Sequence, residues 1–168
     1  MLWKHCPQCG GALQEKSEKL LVCGSCDFHW YQNPLPTNAV IIANAAGEIM
    51  LAKRNAEPKT GCYDLPGGFV DPGESLEDSA RREILEELQV ELRDVRFFRS
   101  YPGRYLYKGV NYYTMVCVLT GSIGEQEPKV ASDIGGIEFF APDKLPFDKI
   151  AFPALEQGLR DYVQEREK

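Results

Sequence analysis

Gly68-Phe69-Val70-Asp71-Pro72-Gly73-Glu74 leads directly into Ser75-Leu76-Glu77-Asp78-Ser79-Ala80-Arg81-Arg82-Glu83-Ile84-Leu85-Glu86-Glu87-Leu88. At roughly 100° per residue, a helix over 75–88 puts Leu76, Ala80, Ile84 and Leu88 in one apolar stripe. Glu83, Glu86 and Glu87 then share an adjacent arc of about 100°. Ser75 followed by Asp78 resembles a capping box. Carboxylates at i, i+3 and i+4 repel one another, and holding them beside buried surface is costly unless a cation lies among them. Hard oxygen donors favour Mg²⁺ or Mn²⁺. A solvated acidic face with an Arg82–Glu86 pair would share this pattern. The Gly67-Gly68 turn and Glu74 at the helix entrance favour the metal site, because glycine lets backbone approach a metal or phosphate closely.

Outward from this helix, residues 39–43 and 49–52 are apolar, strand-like runs separated by the turn-forming Asn44-Ala45-Ala46-Gly47-Glu48, which predicts a hairpin. A second hairpin is predicted over 104–119, with Lys108-Gly109 near its turn. Residues 137–140 read as a short strand, and a second helix is expected after Pro153 through Leu155, Leu159 and Tyr162. Strands and helices intermix without repeats, so the expected fold class is α+β, a mixed sheet covered by helices.

At the N-terminus, Cys6-Pro-Gln-Cys9 and Cys23-Gly-Ser-Cys26 form two Cys-x-x-Cys pairs. Four thiolates suit tetrahedral Zn²⁺, and a site with four protein ligands has no open position, so its role is expected to be structural. Residues 1–34 are expected to form a zinc ribbon, with 35–168 as the main domain. Lys4, Lys16 and Lys19 balance Glu15, Glu18 and Asp27 in the ribbon, which leaves no basic footprint. Trp3, Phe28, Trp30 and Tyr31 are expected to pack the ribbon onto its neighbour rather than stack bases, and Asn33-Pro34-Leu35-Pro36 reads as a stiff linker. His5 and His29 are expected to be surface residues. Cys62 and Cys117 are expected to be buried thiols, since no histidine lies in the body of the chain.

Over 168 residues the net charge is -6, which argues against a general nucleic-acid binder. No stretch approaches the apolar length of a membrane span or signal peptide, so a cytoplasmic location without a membrane partner is expected. An acidic protein that handles phosphates needs a metal.

The spacing Gly68, Glu74, Arg82-Glu83-Ile84, Glu86-Glu87 and Val90 resembles the signature of the Nudix superfamily, Gly-x5-Glu-x7-Arg-Glu-U-x-Glu-Glu-x-Gly-U, where U is aliphatic. Leu65-Pro66-Gly67-Gly68-Phe69-Val70 is similar to the family's entrance loop. The ribbon followed by Tyr31-Gln32-Asn33-Pro34 is similar to the branch that includes NADH pyrophosphatases. The resemblance implies an α/β/α sandwich over 35–168. It also implies catalytic Mg²⁺ or Mn²⁺ at Glu83, Glu86 and Glu87, with the Gly67 carbonyl as a further ligand. Arg82 would orient a glutamate, Glu74 would belong to the catalytic set, and the base would be Glu83 or a distal carboxylate. Asp133 and Glu138 are the nearby distal options, Asp133 fitting better by position.

Two positions depart from the pattern. Gln89 stands where the signature ends its helix with Gly, and Ser100-Tyr101-Pro102-Gly103-Arg104-Tyr105 replaces the Ser-Gln-Pro-Trp-Pro-Phe-Pro-like segment of NADH pyrophosphatases. Tyr101 and Tyr105 are candidate ring-stacking residues. The expected substrate is a small nucleotide, a dinucleotide or ADP-ribose-like compound such as NADH, FAD or ADP-ribose. A nucleoside triphosphate pyrophosphohydrolase and an inactive Nudix-fold binding protein are the rivals, and a homodimer is an admissible assembly.

Overall fold

A computed structural model describes residues 3–130 and 134–166. The N-terminal unit is a small antiparallel sheet of β1 (Leu13–Ser17), β2 (Leu20–Cys23) and β3 (His29–Tyr31). Trp3 and Phe28 both lie against Trp30, with ring centroids at 5.5 and 6.3 Å. These rings therefore cluster within the ribbon itself, and Trp3 and Tyr31 remain about half exposed. His5 and His29 are exposed as well.

The main body has two three-stranded sheets. In one, β4 (Leu35–Ile42) runs parallel to β8 (Val110–Ser122), which pairs antiparallel with β7 (Arg93–Tyr107). In the other, β5 (Ile49–Arg54) lies between β6 (Tyr63–Asp64) and β9 (Ile134–Phe140). Helix α1 (Leu76–Leu88) buries Ala80, Ile84 and Leu88 against Val40, Ile42, Met50 and Leu119. Helix α2 (Pro153–Arg166) covers the other face, where Leu155 and Leu159 meet Ile41, Ile49, Leu51 and Val118. Fully burying each such aliphatic side chain contributes about 1.5–3 kcal/mol. No helix among the described residues is long and apolar enough to cross a membrane.

The expected hairpin over 39–52 does not form. A tight turn does join the arms, with Asn44 N–H donating to the Glu48 carbonyl at 3.0 Å. The arms pair only at the bridge Ala43–Ile49 and then enter different sheets. Both faces of each arm are buried, so neither strand alternates in the way a half-solvated hairpin arm does. The linker is also shorter than expected, because Leu35 and Pro36 already belong to β4. The second hairpin is longer than its sequence suggested. It turns at Lys108 and Gly109, both with positive φ as a two-residue primed turn requires.

One further segment behaves as a strand without being one. Pro66, Gly68 and Val70 run alongside β4, with Val40 N–H donating to the Pro66 carbonyl and Asn38 N–H to the Gly68 carbonyl, both at 2.8 Å. Val70 N–H donates in turn to the Pro36 carbonyl at 3.1 Å. The loop before α1 is thereby fixed to the sheet.

Helix α1 begins with Ser75 Oγ accepting from Asp78 N–H at 3.1 Å. It ends at Gln89 in the left-handed region, φ 56 and ψ 34, with its N–H donating to the Leu85 carbonyl. Gln89→Gly should therefore stabilise the protein by up to about 1 kcal/mol, seen as a melting temperature raised by about 2–4 °C. Ser75→Ala should cost about 1 kcal/mol through the lost cap, and the two shifts should add in a thermal-melting comparison of the double variant.

Candidate active site

Arg82, on the exposed flank of α1, is the hub of the site. Its Nε and Nη2 donate to the two Glu74 carboxylate oxygens at 2.7 and 3.0 Å. Its Nη1 donates to Glu83 at 2.8 Å and, more weakly, to Glu86 at 3.4 Å. Nη2 also reaches the Phe69 carbonyl at 3.1 Å and Ser79 Oγ at 3.3 Å. One planar fork thus ties the entrance loop to the helix, as the five fixed donors of arginine allow. Hydrogen bonds from Arg82 pull the Glu74 carboxyl down to about 2, and the same contacts raise the arginine further. Burial pushes Glu83 the other way, above the usual carboxylate range, with Arg82 partly opposing it.

The two glycines before α1 have different reasons to be glycine. At Gly67, φ is +140 and a Cβ would lie 2.5 Å from the Asn38 carbonyl oxygen, so backbone would have to move. At Gly68 a Cβ would lie 2.5 Å from Glu83 Oε1, the mobile end of a side chain. The Gly67 N–H donates to Glu87 Oε2 at 3.0 Å. Gly67 is therefore needed for the chain path, and Gly68 for the place of Glu83.

A cavity of about 700 Å³ opens beside these glycines. Phe69, Tyr105 and Phe152 form an aromatic wall, with Tyr105 at 5.6 Å from Phe69 and 5.8 Å from Phe152. Arg54 and Asp64 also line it. Arg54 donates to Asp64 at 2.6 Å and lies 5.2 Å over the Phe152 ring. Burial raises Asp64 to about 6 even though Arg54 pulls it down.

Arg82 joins Glu74, Glu83 and Glu86, the Gly67 N–H meets Glu87, and Gly67 and Tyr105 both line the adjoining cavity. Tyr101 lies elsewhere. It is 9% exposed in the core beneath α2, and its hydroxyl donates to Asp161 at 2.8 Å. Glu138 accepts from the Tyr63 hydroxyl at 2.8 Å and pairs across the sheet with Leu51, on the α2 face and away from the α1 glutamates. Asp133 lies outside the described residues. Asn38 and Ser79 were not singled out by sequence. Asn38 is 3% exposed and its Nδ2 donates to Ser79 Oγ at 3.0 Å, while Ser79 Oγ donates to the Phe69 carbonyl. Asn38 precedes the apolar run of β4, and nothing in its local sequence marks it as buried.

The four N-terminal cysteines also converge. Their sulfurs all lie within 4.8 Å of one another, with Cys6–Cys26 at 3.7 Å and Cys9–Cys23 at 3.5 Å. Tetrahedral Zn–S bonds of about 2.3 Å place sulfurs roughly 3.8 Å apart, so the donor set fits zinc. Among the described residues no other group of three or more His, Cys, Asp or Glu closes to that distance. Cys117 is buried and Cys62 half-buried.

Gly68→Ala should preserve the melting temperature but displace Glu83, and misplacing a catalytic group by about 1 Å costs on the order of a hundredfold in rate. Gly67→Ala should instead lower stability first. Parallel melting curves and rate assays on the two variants separate these outcomes.

The NUDIX domain family model matches residues 34–162. A curated relative, the NAD-capped RNA hydrolase NudC of Vibrio vulnificus, is 29% identical over 144 residues, which cover 85% of this chain and 52% of that protein. The Vibrio cholerae NudC is 28% identical over 97% of this chain and 60% of its own length. The chain thus spans about half to three-fifths of these relatives. Among solved structures, a NUDIX hydrolase from Nitrosomonas europaea superposes with a TM-score of 0.75 at 25% identity, covering 98% of this chain and 93% of that one. A MutT NUDIX hydrolase from Burkholderia pseudomallei gives 0.59 at 30% identity, covering 68% and 88%. The signature glutamates, the arginine fork and the fold agree with these matches, and the chain belongs to the NUDIX family of hydrolases.

Proposed function

We propose that the chain hydrolyses the phosphoanhydride bond of a nucleoside diphosphate linked to another moiety, with ADP-ribose, NADH and FAD as the substrate class. The observation that carries this reading is the Arg82-organised glutamate cluster at the mouth of an aromatic-walled cavity. The cavity volume lies within the usual range for small-molecule sites.

Glu83, Glu86 and Glu87 offer hard carboxylate oxygens on one helix face, and Gly67 is hydrogen-bonded to Glu87, so this set suits Mg²⁺ or Mn²⁺. When bound, such an ion supplies charge neutralisation on the phosphates and acidifies a water. Glu83 is the proton acceptor of this proposal, since burial raises its basicity. Arg82 does not need to touch substrate. It holds Glu83 by one amino group and Glu74 by two nitrogens, so the acceptor stays aimed while the diphosphate binds. The Gly67–Phe69 backbone, pinned to β4, holds its position during the displacement.

The substrate ranking draws on two supports. A wall of three rings offers stacking surface beyond what a triphosphate chain uses. The curated relatives are named for NAD-capped RNA, whose reactive part is a dinucleotide. The expectation of no nucleic-acid partner is narrowed by those names. The small nucleotide remains the proposed substrate.

Zn²⁺ at Cys6, Cys9, Cys23 and Cys26 is the second metal of the proposal, closed by four protein ligands and therefore structural.

A screen with Mg²⁺ should give two monophosphates from NADH, FAD or ADP-ribose, with water's oxygen in one of them. Pyrophosphate from nucleoside triphosphates alone would overturn the ranking. Glu87→Gln should lower kcat by orders of magnitude with the melting temperature retained, and near-normal turnover would remove the metal role of that helix face. Metal analysis of gently purified protein should find one zinc per chain, and added zinc should not replace Mg²⁺ in the assay.

A further inference from the structure

Arg104 is the cavity-lining cation that hydrolysis does not use. It lies at the departure from the NADH pyrophosphatase segment and borders two spaces. One is the catalytic cavity. The other is a groove of about 570 Å³ between the β7–β8 hairpin and the ribbon, where Lys19 and Gln32 form the ribbon side.

Its surroundings distinguish it from the other arginine of the cavity wall. Arg54 is committed to Asp64 and to the Pro58 carbonyl. The Arg104 side chain makes no hydrogen bond or ion pair among the described residues, and its guanidinium lies 5.2 Å over the ring of Tyr113, its cross-strand partner. An exposed arginine without a carboxylate is unremarkable, because water solvates it. Its place over a ring is the informative part, because a cation held by a π face rather than by a carboxylate keeps its N–H donors available. Such a fork matches phosphate oxygens two at a time. In a chain of net charge -6, an uncompensated cation bordering the cavity gives a polyanion a place to put charge that the metal does not cover. Lys19 adds a second cation to the groove, and Glu18 beside it limits the seat to one phosphate rather than a run of them.

We infer that Arg104, held over the Tyr113 ring and assisted by Lys19, is a specificity-determining residue that binds a phosphate outside the hydrolysed diphosphate. This rests on the hydrolase reading above. Two sources offer that chemistry: a phosphate monoester on the substrate's ribose, and a phosphodiester to a further nucleotide.

The test compares NADH with NADPH, which differs by one ribose phosphate, and with NADH extended by one nucleotide through a 3′-phosphodiester. One charge-assisted contact is expected to favour at least one phosphate-bearing substrate by about tenfold in kcat/KM, through KM. The substrate that gains identifies the source. Arg104→Gln should bring that ratio close to one, and Arg104→Lys should keep part of it. Lys19→Gln should reduce the ratio less than Arg104→Gln does. Equal kcat/KM for all three substrates in the wild type, or an unaltered ratio in Arg104→Gln, overturns the inference. If none of the three is cleaved, the nicotinamide dinucleotide falls as a substrate separately, and titration of reduced-nicotinamide fluorescence decides the seat. Tighter binding of a phosphate-bearing ligand that Arg104→Gln abolishes upholds the assignment, and equal or absent binding ends it.

Discussion

The contact between Arg82 and Glu74 holds the rest of the site in place. Glu74 stands at the end of the entrance loop and Arg82 two turns into α1, so this bidentate pair fixes where the loop meets the helix. The same guanidinium reaches Glu83, Glu86 and the Phe69 carbonyl. Two carboxylates that would repel one another on a bare helix face, Glu83 and Glu86, share this cationic neighbour with Glu74 of the loop. At about one-quarter exposure the arginine is partly shielded from water, so its contacts are worth more than those of an ordinary surface pair. Removing it would leave several carboxylates uncompensated at once, and lysine could not replace it, because a single ammonium cannot meet five acceptors in a plane.

What could be read in the sequence was what depends on near neighbours along the chain. The apolar stripe of α1, its cap at Ser75 and its left-handed end at Gln89 all follow from spacing within a few turns. The four cysteines announced themselves because their pairs sit at ligand spacing, and the turn at Lys108-Gly109 carried its own conformational signature. The runs over 39–43 and 49–52 were misread as a hairpin because continuous apolar sequence does not say which strand lies alongside. Here the partners are β8 and β9, dozens of residues away.

The same limit applies within the site. Tyr101 and Tyr105 are four residues apart on one strand face, yet one is buried under α2 beside Asp161 and the other lines the cavity. Nothing local distinguishes them, since the difference lies in where α2 crosses the strand. Arg54 and Asp64 sit ten residues apart on two strands and meet only when β5 pairs with β6. Asn38 is joined to Ser79 on α1, a contact across 41 residues that no local pattern announces.

The entrance loop has a second role, in aggregation. Strand β4 is a border of its sheet, with β8 on one side only. Its outward N–H and C=O groups at Pro36, Asn38 and Val40 are occupied by Pro66, Gly68 and Val70. An uncovered border of that length, rich in valine and isoleucine, would be a template for another chain's strand. The segment that carries the catalytic glycines is therefore also the sheet's cover. It cannot swing away as a mobile lid does without breaking these backbone hydrogen bonds and uncovering a sticky edge. The aromatic wall and the hairpin border the same cavity without carrying that burden, so changes of side chain there leave the covered border of β4 intact.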